Sequence, residues 1–242
     1  MNRTSPAAPA SRADGLWIYA ILAPVLLNLV GLVVYGGYYA LTYSTPGSAT
    51  RLPLGYITLI STALILGIEW VLTLTILARL RREGLSLGAL IAPAGAPGRF
   101  RLQPALGVFL AWNGIFAVYL ALAGILYGNL GQSYSGLPLA LRLVLLLVQP
   151  ISAGFTEELI WRGYVLTRLE ARGYSARAVI GLSALSFAAI HGIYLPDKLL
   201  ATFILGVIAA WYYQRERNLV PLIAIHAFVD LWSVALLLAT PA

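Results

Sequence analysis

The chain has 242 residues, 60% of them hydrophobic and 10% charged, with a mean hydropathy of +0.84 and a formal net charge of +7. A soluble domain carries roughly 25% charged residues, so there is too little charge here to coat a water-facing surface, and the chain reads as a polytopic membrane protein. It has no cysteine, which excludes disulfides, thiolate-bound metal and a thiol nucleophile; its basic residues are scattered through loops, with no basic aromatic face of the kind that binds nucleic acid.

Residues 1–15 are rich in Ser, Pro and Ala and are expected to form a disordered tail ahead of a single transmembrane domain, 16–242. The first apolar run, 16–42, exceeds the roughly 7–15 residues of a signal-peptide core and reads as a span. A bilayer needs about 20 apolar residues per helix, and further segments of that kind follow at 54–79, 103–128, 137–168, 176–195, 197–214 and 219–239. The fold class is therefore all-α, a polytopic transmembrane helical bundle of about seven spans.

Some local features modify that scheme. The connection 80–102 contains an Ala92–Gly98 run of Ala, Pro and Gly and is expected to be a flexible loop. The fourth segment is too long for one straight span and contains Pro150, which predicts a kink or break. The sixth is short, follows Leu195-Pro196-Asp197, and is expected to be tilted or only partly spanning. The seventh opens at Asn218-Leu219-Val220-Pro221, where Asn caps and Pro suits a first turn. No internal repeat supports a two-halves transporter.

With the N-terminus in the cytoplasm, twelve of the sixteen basic residues fall in inside segments; only Arg51, Arg142 and Lys198 fall outside. The positive-inside rule favours that orientation, and the expected location is a bacterial cytoplasmic membrane.

Ionisable groups at bilayer depth cost at least about 2.5–3.5 kcal/mol each. Here they are Glu69, Glu157, Glu158, Arg162, His191, His226 and Asp230, and both histidines of the chain are among them. Glu158 and Arg162 are i and i+4 with the acid first, the favoured order for an ion pair. Glu157 lies about 100° around the helix from Glu158, so one carboxylate can neutralise Arg162 while Glu157 points into a cavity as a base. Phe187 with His191, and His226 with Asp230, are also i,i+4 pairs sharing a face. One His could activate water while the other group handles developing charge; alternatively Glu157, His191 and His226 could ligate a divalent metal such as zinc.

Singly, an intramembrane His or a Glu–Arg pair is most often a helix–helix contact. Together, in the order Glu157-Glu158-x-x-x-Arg162, Phe187-x-x-x-His191 and His226-x-x-x-Asp230, they resemble the CPBP family, the CAAX-protease and bacteriocin-processing (Abi) intramembrane proteases. The resemblance covers about 137–239. It implies an endopeptidase acting on membrane-associated protein or peptide, with Glu157 and His191 activating water and His226 with Asp230 stabilising the oxyanion. Glu158, Arg162 and Phe187 are in support. It implies either a metalloprotease or a glutamate enzyme without essential metal. An ionised Asp230 only accepts hydrogen bonds, so as an oxyanion donor it would have to be protonated; otherwise it orients His226 or binds metal.

The competing readings are a non-catalytic membrane scaffold or bacteriocin-immunity protein, and a proton-coupled transporter. Expected partners are membrane lipid and a protein or peptide substrate, without nucleic acid. Counted from the helix ends at about 1.5 Å per residue, Glu157, His191 and His226 differ in depth by roughly 10 Å, a spread that tilt or a kink must absorb.

Overall fold

The computed structural model describes residues 15–43, 53–91, 101–128, 134, 136–193 and 195–239. The tail 1–14, Arg51 and the Ala92–Gly98 run lie outside the described residues. Among those described, every regular element is helical: α1 (Leu16–Tyr43), α2 (Leu54–Arg82), α3 (Leu87–Ile91), α4 (Leu102–Tyr127), α5 (Leu139–Glu157), a π-helical segment (Glu158–Leu166), α6 (Thr167–Ala171), α7 (Ala176–Ala189), α8 (Pro196–Glu216) and α9 (Val220–Ala239).

Among the described residues, five units are long and apolar enough to cross a membrane: α1, α2, α4, the continuous stretch Leu139–Ala171 and α9. Large apolar side chains such as Val33, Ile125 and Leu139 stand exposed on them, as lipid-facing residues do and as a water-facing surface rarely allows. The other two expected segments are less regular than these five. Helix α7 has only 14 residues, stopping at Ala189, where the His191 N–H turns back to Ala188 O and Gly192 takes φ +112°. Helix α8 has 21 residues but carries Asp197 and Lys198 at its start and Arg215 and Glu216 at its end.

Two more expectations change. The fourth segment does not break at Pro150, which is buried inside α5; the irregularity comes later, at the π-helical segment, all nine residues of which are buried. Such segments occur frequently at functional sites. The connection 80–102 is not wholly a loop. Helix α3 packs Leu87 and Ile91 on the core, and Ile91 O accepts from the Leu219 N–H at 2.8 Å. The Asn218 turn behaves as read, Asn218 Oδ1 accepting from the Val220 N–H at 3.0 Å.

Ion pairs bring several helix ends together. Glu83 after α2 pairs with Arg79 and with Arg168 on α6; Arg101 before α4 pairs with Glu216 on α8; Glu170 on α6 pairs with Arg217. At the other end of the bundle the Tyr127 hydroxyl donates to Asp197 Oδ1 at 2.9 Å, joining the end of α4 to the start of α8.

The interior is made by close backbone approach. A Cβ on Gly154 of α5 would lie 3.0 Å from Ala227 N and Ile223 O of α9, and one on Gly206 of α8 would lie 3.0 Å from Ala184 Cα of α7. Small residues let membrane helices pack this tightly. Gly154→Val is expected to cost about 1–3 kcal/mol by overpacking, lowering the thermal midpoint in detergent, with Gly154→Ala intermediate. Gly107, whose added Cβ meets nothing within 4 Å, should tolerate alanine as a control.

Candidate active site

Three elements deliver the polar groups. The junction of α5 with the π-helical segment carries Glu157 and Glu158, the turn after α7 carries His191, and α9 carries His226 and Asp230. Because α5 packs along α9 through Gly154 and Ala227, the residues just beyond each contact, Glu157 and His226, are brought face to face.

Glu157 Oε2 lies 3.8 Å from His226 Nε2 and 4.0 Å from His191 Nε2. The 10 Å spread in depth expected from counting residues is absent at the side-chain tips. That count assumed uniform α-helical rise, whereas nine residues between Glu157 and Arg168 are π-helical and His191 lies beyond its helix.

The far side of each imidazole is fixed. His191 Nδ1 is 3.1 Å from Phe187 O, and a carbonyl only accepts, so Nδ1 carries the proton. His226 Nδ1 is 2.9 Å from Glu158 Oε1, which also accepts from Arg162 Nη1 at 3.0 Å; a carboxylate oxygen already taking a guanidinium proton leaves the ring as donor there too. Glu157 and Glu158 thus do not face one point, as expected, yet both address a single ring, one at each nitrogen.

Asp230 Oδ2 stands 3.9 Å from His226 Nε2 and accepts from Gln149 Nε2 at 3.5 Å. Phe187 is the common wall. Its ring lies under the Arg162 guanidinium at 4.0 Å, with centroids 5.0 Å from His191 and 5.9 Å from His226. A cation over an aromatic face is attracted by the ring quadrupole, which partly compensates Arg162, whose Nε and Nη2 have no hydrogen-bond partner among the described residues.

Burial shows where the site opens. The Glu157 and His226 side chains are 7% and 5% exposed, those of His191 and Asp230 21% and 20%. Access is therefore from the His191 and Asp230 side. Glu157 Oε2 is buried with no hydrogen-bond partner among the described residues.

Several neighbours carried no role in the sequence. Glu69 on α2 is buried, accepts from Thr156 Oγ1 at 2.9 Å, and is within electrostatic reach of Glu157, His226 and Asp230; its intramembrane charge was the signal available. Gln149 and Trp112, whose ring meets His226 edge-on at 5.2 Å, had none.

The donor set Glu157, His191 and His226 has the chemistry of a zinc site, and both rings have their second nitrogen held as metal-binding histidines do. The spacing does not fit as it stands. Ligands at about 2.0–2.1 Å around tetrahedral zinc sit roughly 3.3–3.4 Å apart, less than the 3.8 and 4.0 Å here. Among the described residues no group of three or more His, Cys, Asp or Glu is arranged to hold a metal ion.

Residues 138–232 match the family model described as type II CAAX prenyl endopeptidase Rce1-like. The motif-bearing segment is similar to these endopeptidases. This agrees with the CPBP resemblance read from the three motifs. The Rce1-like segment begins one residue before α5 and ends inside α9, so it includes every residue around Glu157 named above except Glu69 and Trp112. No curated protein and no solved structure matches the chain. The Rce1-like match over this segment and the five apolar helices together indicate an integral membrane protein.

Proposed function

We propose that the chain is an intramembrane endopeptidase that hydrolyses peptide bonds of membrane-associated substrates with a water activated by Glu157 and His191. The carrying observation is the convergence of Glu157 Oε2 with two imidazole Nε2 atoms whose Nδ1 protons are already committed. At 3.8–4.0 Å these atoms are too far apart for direct bonds and suitably spaced to share a water. Neutral His191 presents a lone pair at Nε2, so such a water donates one hydrogen to Glu157 and one to His191, with its own lone pair free to attack.

In the proposed reaction the water oxygen bonds to the scissile carbonyl carbon as its proton passes to Glu157 Oε2. His226, with Nδ1–H on the Glu158 carboxylate, presents Nε2–H to the oxyanion when the ring is cationic. Asp230, held by Gln149, orients that ring from its other side and need not be a donor itself. The C–N bond then breaks, Glu157 gives its proton to the departing nitrogen, and the new carboxylic acid passes its remaining proton to the released amine, so that a carboxylate and an ammonium group leave and Glu157 is again ionised. No step passes through a metal.

The topology we infer has seven crossings in one transmembrane domain, with the N-terminus cytoplasmic and α7 and α8 as the two less regular ones. It is supported by the ion pairs that join α2, α4, α6 and α8 at the arginine-rich end and by the Tyr127–Asp197 bond at the other. A bacterial cytoplasmic membrane remains the proposed location.

The test is cleavage of a C-terminal CAAX peptide by the purified protein in lipid, with and without a prenyl group. Site variants should be inactive, while a chelator and metal analysis should show full activity at far below one metal per chain. Activity that vanishes on chelation and returns with zinc would overturn the metal-free mechanism. Flux in proteoliposomes without any cleavage would favour a transporter, and a cellular phenotype indifferent to Glu157 would favour a scaffold or immunity protein.

A further inference from the structure

Helix α1 contains a single carboxamide or charged side chain, Asn28, in a mostly apolar and aromatic sequence. A polar amide in hydrocarbon is costly unless its bonds are made, and those of Asn28 are made in a telling place. Its Nδ2 donates to Pro24 O at 2.7 Å, within its own helix, and to Ala189 O at 2.6 Å. Its Oδ1 accepts from the Ile193 N–H at 3.3 Å. The acceptor and donor across the helix interface therefore stand two residues before and two residues after His191. The amide orientation is dictated by this set, since two carbonyls demand the nitrogen and one N–H demands the oxygen.

The turn needs such a tie. Helix α7 has ended, Gly192 sits at φ +112°, and Ala189 O is one of the terminal carbonyls that a helix leaves unpaired. Backbone bonds within the turn include His191 N–H to Ala188 O and Leu195 N–H to Gly192 O. Asn28 supplies what the helix would have supplied had it continued.

We propose that Asn28 is a positioning residue of the active site: its carboxamide clamps the turn on both sides of His191 and so sets where His191 Nε2 points. The inference rests on the endopeptidase reading and extends the site to a helix outside the Rce1-like segment. It is not a general anchor of α1, because a separate tie does that. Ser186 Oγ donates to Ile21 O at 3.0 Å and accepts from Trp161 Nε1 at 2.9 Å, holding α1 against α7 without Asn28.

Two variants separate the roles. Asn28→Asp retains an acceptor for Ile193 but loses both donors; Asn28→Leu keeps the approximate volume and loses everything polar. Both are expected to lower kcat per folded enzyme about tenfold to a hundredfold, the order expected for a reacting group displaced by about 1 Å, with KM within about threefold. The chain has only two histidines, so imidazole nitrogen NMR resolves each ring. His191 should change from the Nδ1–H tautomer to a mixture, while His226 keeps its spectrum.

Unchanged kcat with an unchanged His191 spectrum overturns the clamp, as does a tautomer shift without loss of kcat. Equal changes at both histidines would mark general loosening and also overturn it. If the wild-type protein cleaves no peptide, the endopeptidase reading fails on its own, and the spectra still decide whether Asn28 holds His191. Should Asn28→Leu fail to fold, Asn28→Asp carries the same comparison.

Discussion

Glu157→Gln is expected to lower kcat by about 10²- to 10⁴-fold, the contribution typical of a positioned general base, with little change in KM. Glutamine keeps the shape and can still hydrogen-bond a water, but it cannot take the proton. The same substitution should leave the thermal midpoint unchanged or raise it. Glu157 Oε2 is buried with no hydrogen-bond partner among the described residues, and removing a charge that burial disfavours relieves a cost. Activity and stability therefore move in opposite directions, which separates a catalytic carboxylate from a structural one. Glu157→Asp draws the carboxylate back from the two imidazoles 3.8 and 4.0 Å away, and a misplacement near 1 Å should still cost about 10²-fold. Steady-state cleavage in lipid and thermal unfolding in detergent measure both effects. Glu157→Gln with near-normal kcat would remove this residue from the chemistry, and the endopeptidase mechanism with it.

Much of this arrangement was legible in the sequence for simple physical reasons. Composition alone fixes a membrane-embedded helical protein, because 10% charged residues cannot clothe a soluble surface. The identity of the clustered residues was legible because hydrocarbon makes each ionisable group conspicuous. The end of α7 was not. Ile190 and Ile193 continue the apolar run past it, so hydropathy extends a helix that the backbone stops at Ala189. The π-helical segment was hidden too, since Glu158–Leu166 has the look of ordinary helix. One of its carbonyls, Trp161 O, is bonded by Ser183 Oγ of α7 at 2.9 Å, a contact made only in the fold. Asn28 shows the same limit, a lone amide whose partners lie 161 and 165 residues away. What could be read was residue chemistry; what could not was which backbone groups a distant side chain would satisfy.

Arg162→Met is expected to destabilise the protein by about 3–5 kcal/mol, the range for breaking a buried ion pair from one side. Arg162 and Glu158 are both 0% exposed, so no water can take over when the guanidinium leaves. Glu158 would retain only His226, and the stack on Phe187 at 4.0 Å would be lost as well. The partly exposed pair Arg79–Glu83, at 2.9 Å, provides the contrast: Glu83 keeps Arg168 as a partner, so Arg79→Met should cost at most about 1 kcal/mol. Adding Glu158→Gln to Arg162→Met should recover much of the lost stability, because a neutral pair of similar volume carries no uncompensated charge. It should not recover activity, since an amide at position 158 holds His226 Nδ1–H without favouring the cationic ring that the oxyanion requires. Arg162→Lys should fall between, as an ammonium supplies charge but no planar face to lie on Phe187. Unfolding midpoints in detergent for the two single variants and the double one, read beside kcat, test the whole set. A loss for Arg162→Met no larger than that for Arg79→Met would mean that the buried pair holds neither the fold nor His226.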